Sequence, residues 1–367
     1  MSILKIKDLT EQIRGVSYKP SDVVTSDIGL PILRANNIKD NSLSFDDLVF
    51  IKPEKVSKKQ LLQNGDIVIC ASSGSKELVG KAGVFCNNDT YSFGAFCKAV
   101  RVKRIDGIDS DYVRLYFSSK YYRECIALSS KGSNINNIKT ENIEELNINI
   151  PSIEEQNTAV SLLNALISAI DNKKQELFSL DELVKSRFIE MFGNPISEQK
   201  WIIKKWNDVL EIKNGKDYKK NLSDIENGYP VYGSGGFMNI CADTYLCEGI
   251  ITIIGRKGNI SNPLLVEGKI WNVDTAFGII VKTDILNPIF FHHCSKFYDY
   301  EKMNKATTIP SLTKSDLLNL EIILPPIELQ NKFAEFVKLI DKSKFIVQQQ
   351  IKDLQELLDS KMDEYFR

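Results

Sequence analysis

Two stretches of the chain place apolar residues at alternating spacings of three and four. The first runs through Leu163, Ile167, Ile170, Leu177, Val184, Phe188 and Met191. The second runs through Phe333, Val337, Ile340, Val347, Ile351, Leu354, Leu358 and Tyr365. That spacing keeps one face of an α-helix apolar and predicts two long helices, opening at Ile153 and Ile327 behind Pro151 and Pro325. Gly193-Asn194-Pro195 stops the first. Helices of about 35 residues reach roughly 50 Å, more than a small domain covers alone, so pairing with each other is the economical burial. The alternative is that each is a core helix of a larger domain. Lys174 and Lys344 interrupt the apolar series, a local defect of the kind that sets the register of a helix pair.

The segments ahead of the helices read differently. Short β-rich runs such as Gly65 to Cys70 and Gly249 to Ile254 end in Gly/Ser-rich or basic turns. Residues 109–125, and more weakly 289–300, carry apolar and aromatic side chains at helical spacing. The fold class is therefore α/β (α+β): β-rich cores with one or two packed helices, each followed by a long helix.

These two halves are copies. Ile143, Leu146, Ile148, Ile150, Pro151, Ile153, Glu154, Gln156 and Asn157 meet Leu317, Leu320, Ile322, Leu324, Pro325, Ile327, Glu328, Gln330 and Asn331 at one shift. The same shift aligns the far ends, 180–192 with 354–366. With small insertions, Asp8-Leu9 and Arg14-Gly15 parallel Asp208-Val209 and Asn214-Gly215. Likewise Gly29 to Leu33 parallels Gly228 to Tyr232, and Ala95-Phe96 parallels Ala276-Phe277. The globular parts have diverged more than the helices, which suits two readers of different features on one repeated frame.

Bulk composition narrows the function. The chain has 367 residues, 43% apolar and 26% charged, enough for two or three ordinary domains. No apolar run approaches the ~18 residues of a membrane span, and the charged N-terminal segment lacks a signal core, which points to the cytoplasm. Net charge is −1. The helical segments hold a surplus of acids, leaving the rest about +3, a tilt in the direction a nucleic-acid reader needs. The 7 cysteines stand singly without any CxxC, as buried reduced thiols do. Cys241 and Cys247, the closest pair, lie too far apart for a zinc knuckle, although His292, His293 and Cys294 could lend ligands, and no metal site is expected.

Catalytic signatures are missing too. Asn287-Pro-Ile-Phe290 lacks the second proline of an adenine methyltransferase tetrapeptide, and Gly233-Ser-Gly-Gly236 is not a dinucleotide loop. There is no P-loop. His292 or His293 remains a conceivable base. Two other readings stay open: a duplicated coiled-coil interaction scaffold without DNA specificity, and a metal-dependent nuclease using Glu267 and Lys269.

The helix starts Pro151-Ser-Ile-Glu-Glu-Gln156 and Pro325-Pro-Ile-Glu-Leu-Gln330, the helix ends 186–195 and 360–367, and the segments 229–236 and 272–277 resemble the specificity subunits of type I restriction-modification systems. The resemblance implies target-recognition domains at 1–150 and 196–324, a conserved central helix at 151–195 and a conserved C-terminal helix at 325–367. It implies an antiparallel coiled coil with pseudo-two-fold symmetry, and a split, asymmetric double-stranded DNA target with a fixed spacer. The implied partners are two adenine methyltransferase (modification) subunits, which hold S-adenosylmethionine, and in some systems a restriction translocase. This chain would carry no catalytic residue or cofactor of its own and would need no homo-oligomer.

On that reading, loops mixing small polar residues with a base are the candidate DNA contacts. In the first domain they are Arg34, Asn36 and Asn37; Ser73 and Lys76; and Lys131, Ser133, Asn134 and Asn136. In the second they are Ser234 and Gly235; Arg256, Lys257 and Asn259; and Lys305, Thr307 and Thr308.

Overall fold

The computed structural model describes residues 2–39, 41–75, 77–129, 137–198, 200–224, 227–304 and 310–367. The chain divides into two compact units, residues 1–173 with 350–367, and residues 174–349. Among the described residues, no helix is long and apolar enough to cross a membrane.

The first unit begins with β1 (Ser2–Lys5), the turn α1 (Ile6–Leu9) and β2 (Thr10–Arg14). There follow β3 (Leu30–Leu33), β4 (Ile38–Lys39), β5 (Ser42–Leu43), β6 (Val49–Ile51) and β7 (Ile67–Cys70). Then come β8 (Ala82–Val84), β9 (Ser92–Phe93) and β10 (Cys97–Val102). One sheet has the order β2-β10-β7-β8, and a second has β6-β3-β9, with β3 and β9 parallel. Two helices, α2 (Ser110–Tyr116) and α3 (Lys120–Ser129), occupy the stretch expected to be one helix. The break has a local cause: the Ser119 hydroxyl donates to the Tyr116 carbonyl at 2.6 Å and accepts the Tyr122 amide at 3.0 Å, so it competes with the helical ladder. After α4 (Thr140–Glu144), β11 (Asn147–Ile150) returns antiparallel to β1 and leads into α5 (Ile153–Phe192), 40 residues long.

The second unit repeats the plan. It contains β12 (Ile202–Lys205), α6 (Trp206–Val209), β13 (Leu210–Asn214), β14 (Leu222–Ser223), β15 (Tyr229–Gly233) and β16 (Gly236–Ala242). Long strands β17 (Cys247–Gly255) and β18 (Leu264–Asn272), then β19 (Ala276–Val281), complete a single seven-stranded sheet, β13-β19-β17-β18-β15-β16-β14. Helices α7 (Pro288–Ser295) and α8 (Lys314–Leu318) precede β20 (Glu321–Leu324), which pairs with β12, and α9 (Ile327–Phe366). In this unit β18 pairs with β17 and then with β15, so one strand joins both halves of the sheet. In the first unit the counterpart strand is interrupted between β8 and β9 by an Asn/Asp turn in which Asn87 accepts the Asp89 amide at 2.9 Å, and the sheet splits in two.

Both long helices exceed the anticipated length by about five residues. Gly193 closes α5 with φ +78°, its amide bonded to the Ile189 carbonyl at 2.8 Å. In the first unit, Leu163, Ile167 and Ile170 of α5 and Ile351, Leu354 and Leu358 of α9 share one apolar core with α2 and α3. In the second unit, Val184 and Phe188 lie with Val337 and Ile340. There the helices run antiparallel: Asp181 meets Lys344 at 2.6 Å, the Arg187 guanidinium sits 5.8 Å from the Phe336 ring, and Phe188 packs edge-on to Phe333. Val347 is buried and Leu177 half-buried outside these clusters. Of the two lysines, Lys344 is mostly covered and paired with Asp181, as a register-setting defect requires, whereas Lys174 is exposed.

One motif residue ties each helix to its domain. Gln156 and Gln330 are both fully buried. Gln156 accepts the Asp109 amide at 2.8 Å and donates to the Gly107 and Pro151 carbonyls at 3.0 and 2.9 Å. Gln330 accepts the Asn287 amide at 2.8 Å and donates to the Ile285 and Pro325 carbonyls at 3.1 and 2.7 Å. The glutamine in the repeated helix start therefore satisfies three backbone groups that would otherwise be buried alone.

Candidate nucleic-acid interface

The predicted loops assemble around one backbone motif found in both units. In the first unit the Phe96 carbonyl accepts the Ala71 and Ser72 amides at 2.9 and 3.0 Å. The Ile138 amide returns to the Ala71 carbonyl at 2.7 Å, and Ser72 bridges Asn137. In the second unit the Thr275 carbonyl accepts the Arg256 and Lys257 amides at 2.7 and 3.3 Å. Here the Leu312 amide returns to the Arg256 carbonyl at 2.9 Å, and Lys257 bridges Ser311. The clasp brings the turn after β7 (or β17), the turn before β10 (or β19) and the segment leading to α4 (or α8) to one place. The counterpart residues are thus Ala71 and Arg256, Ser72 and Lys257, and Phe96 and Thr275.

This equivalence corrects one pairing read from the sequence. Gly94 and Val273 take matching bonds, from their amides to the Leu33 and Tyr232 carbonyls at 2.9 and 3.0 Å. Cys97 and Ala276 each close the tight turn three residues on. Ala276-Phe277 therefore matches Cys97-Lys98, and the shared Ala-Phe dipeptide is displaced by two positions. The displacement matters for the surface. Phe277 is a buried strand residue beneath the Arg256 guanidinium, 5.9 Å away, whereas Phe96 points out from its turn and is 68% exposed.

In the first unit, Arg34, Asn36 and Ser73 line a common cleft of about 850 Å³ with Val16, Tyr18 and Phe96. Arg34 is held by the Asp47 carboxylate and carbonyl at 2.9 and 2.7 Å, and Asn36 donates to the same carboxylate at 3.0 Å. Asn37 does not belong with them. It is 1% exposed, accepts the Arg34 amide at 2.9 Å and donates to the Asp46 carbonyl at 2.7 Å, so its polar atoms hold the turn together. Beyond the Gly94–Cys97 turn lies a second depression of about 380 Å³, which contributes Arg14, Lys98 and Lys139. None of these three was anticipated. For Arg14 and Lys98 the signal was a base on a β-strand, as in Cys97-Lys-Ala-Val-Arg-Val102; Lys139, on the approach to α4, had no such signal. Burial holds the Lys98 pKa below its usual value, and its ammonium donates to the Thr140 hydroxyl at 3.0 Å. Arg101, on the same strand, instead makes a bidentate pair with buried Asp66 at 2.8 and 2.7 Å, a structural use of the charge.

In the second unit Ser234, Lys257 and Asn259 are mutually bonded: Ser234 donates to the Lys257 carbonyl at 3.5 Å, and Asn259 donates to the Ser234 carbonyl at 3.3 Å. Gly235 occupies the adjoining β15–β16 turn. Lys76, Lys131, Ser133, Asn134 and Asn136 lie outside the described residues, as do Lys305, Thr307 and Thr308. The segments that follow the last two groups, at Asn137 and at Pro310, do reach the clasp.

The residues considered for catalysis have other positions. Asn287 caps α7, accepting the Ile289 and Phe290 amides at 2.9 and 3.2 Å, and Phe290 is fully buried. Burial pushes the His292 and His293 pKa down to about 2 and about 3, leaving neutral imidazoles with too little proton affinity for general-base work near pH 7. Lys269 faces Glu248 at 3.7 Å and the Tyr245 ring at 4.9 Å. Among the described residues no group of three His, Cys, Asp or Glu side chains is placed to hold a metal ion. All seven cysteines are free thiols. Cys86 departs from the buried pattern by being exposed, and Cys125 is half-buried.

Comparison with known proteins agrees with this architecture. The model of the type I restriction modification DNA specificity domain matches residues 1–181 and again 198–356. The EcoKI specificity subunit of Escherichia coli K12 is 33% identical over 245 residues, which is 62% of this chain and 52% of that protein. The StySPI specificity subunit of Salmonella potsdam is 38% identical over 182 residues, 49% of this chain and 39% of that protein. The chain thus spans about half or less of the length of these two relatives. The crystal structure of the type I system S subunit from M. genitalium superposes over 100% of this chain and 96% of its own, with a TM-score of 0.56 at 15% identity, a likeness of fold. Duplicated architecture and a twice-matched family model together place this chain in the type I restriction modification DNA specificity domain family.

Proposed function

We propose that this chain is the non-catalytic, sequence-reading subunit of a type I restriction-modification enzyme. The observation that carries the reading is the repeated clasp, which bears different side chains at equivalent places: a buried Ala71 with Ser72 and an exposed Phe96 in one unit, and exposed Arg256 and Lys257 with Thr275 in the other. One frame bearing two unlike surfaces suits a split DNA target with two different half-sites. Residues 1–150 and 196–324 would supply the reading surfaces, and 151–195 and 325–367 the frame. Arg14, Arg34, Lys98 and Lys139 on one side and Arg256 and Lys257 on the other supply cations for phosphates.

Catalysis would reside in two adenine methyltransferase subunits that hold S-adenosylmethionine, and in a restriction translocase where the system has one. The second unit leaves Phe178, Leu339, Phe345 and Ile346 exposed on its helices, apolar side chains with no internal use that suit partner docking. Mapping methylated adenines genome-wide with and without this gene tests the reading. A split, asymmetric methylated motif that disappears with the gene is expected. Methylation unaffected by the deletion would overturn it and favour the scaffold alternative.

A further inference from the structure

Phe96 is the one large aromatic side chain that the clasp of the first unit turns outward. It sits in a tight turn closed by the Cys97 amide on the Gly94 carbonyl at 2.8 Å, and its own carbonyl is bonded to two amides of the neighbouring turn. With the backbone fixed on both sides, the ring has only its own torsions to vary. Leaving it 68% exposed forgoes most of the hydrophobic stabilisation that burying a phenylalanine provides. The turn itself does not need the ring, since the second unit makes the same turn with Thr275. Bases lie on either side of it: Arg34, paired with Asp47, in the cleft on one side, and Arg14, Lys98 and Lys139, with Glu141 among them, in the depression on the other. An apolar ring on a rigid ridge between phosphate-attracting groups, beside Arg34 and Asn36, matches the chemistry of a thymine edge in the major groove, where the 5-methyl group is the only apolar feature.

We propose that Phe96 is a specificity-determining residue of the first unit, reading the 5-methyl group of a thymine by apolar contact. The proposal rests on the DNA-reading role given above. To test it, the wild-type chain and Phe96→Ala are each expressed with the modification partner in a methylation-free host, and the methylated motif is mapped. Purified complexes are then bound to duplexes carrying that motif, with deoxyuridine replacing each thymine in turn.

Wild type is expected to lose roughly tenfold in affinity at one thymine of one half-site, the scale of a single apolar group in a fitted contact. Phe96→Ala should be indifferent to that replacement and should accept another base there, with the other half-site unchanged. Phe96→Leu, which keeps an apolar surface, should retain the wild-type motif. The proposal is overturned if wild type is indifferent to every replacement, or if Phe96→Ala keeps the wild-type sensitivity. It is equally overturned if the variant loses affinity regardless of the methyl group, which would make the ring a wedge between base pairs, or if Ala and Leu both abolish methylation, which would make it a folding residue. Absence of any split motif with wild type would instead sink the DNA-reading role itself.

Discussion

The two units solve the same folding problem with nearly the same backbone bonds and then part company at the surface. In both, the first strand pairs with the strand entering the long helix, Ser2 opposite Ile150 and Ile202 opposite Leu324. In both, a buried glutamine satisfies the same three backbone groups. Yet the clasp carries an exposed phenylalanine beside alanine and serine in one unit, and a threonine beside arginine and lysine in the other. Positions that satisfy buried polar groups tolerate little change, whereas positions that face outward are released to diverge. Divergence of this kind marks where the units differ in what they touch.

The comparison can be strained at several depths. The largest effect should come from Phe188→Ala, which removes a ring packed against Phe192, Phe290, Phe297 and Phe333. A loss of about 3–5 kcal/mol in the second unit is expected in chemical denaturation. Gln156→Leu and Gln330→Leu should each cost about 2–4 kcal/mol, because a backbone amide and two carbonyls lose their partner. Similar values in the two units would support a shared frame; a negligible cost in one would break the equivalence.

On the surface, replacing Arg256 and Lys257 together by alanine should weaken DNA binding and flatten its salt dependence by up to about two charges. The matching pair in the first unit is Ala71-Ser72, so Arg34→Ala, made elsewhere on the same cleft, should have the smaller slope change there. An unchanged slope in the double variant would remove that turn from the phosphate contacts.

The smallest effect is electrostatic. Hydrogen bonds from Lys5 and Lys7 draw the Glu145 pKa down to about 2, while its counterpart in the second unit is the uncharged Asn319. A carboxylate whose pKa is lower in the folded state stabilises fully above its unfolded value near 4.5 and loses that contribution as pH falls toward 2. The difference in melting temperature between wild type and Glu145→Gln should therefore shrink over that acid window. A difference as large at pH 2 as at neutral pH would deny the clamp.

Much of this frame was legible in the sequence because helices repeat their apolar face every few residues and the repeat survived nearly intact. The helix starts, the stop at Gly193 and the shared shift of Gln156 and Gln330 all followed from it. Less visible was anything decided by a single turn. The Ser119 hydroxyl breaks what spacing alone reads as one helix. Asn37, polar and in a loop, is consumed by its own turn. The Ala-Phe dipeptide misleads because its two copies sit two residues apart on the frame, one facing out and one facing in. Arg14, Lys98 and Lys139 escaped notice because two lie on strands and one on the approach to a short helix, where only the folded sheet shows that they gather beside one depression.

The central claim, two unlike readers on copies of one frame, is tested most directly by a graft. Residues 2–150 are replaced by a second copy of residues 202–324, a junction that the matched strand pairing allows, and the methylated motif is mapped with the modification partner present. The account predicts a symmetric motif built from two copies of one original half-site. A motif that keeps both original half-sites would contradict it.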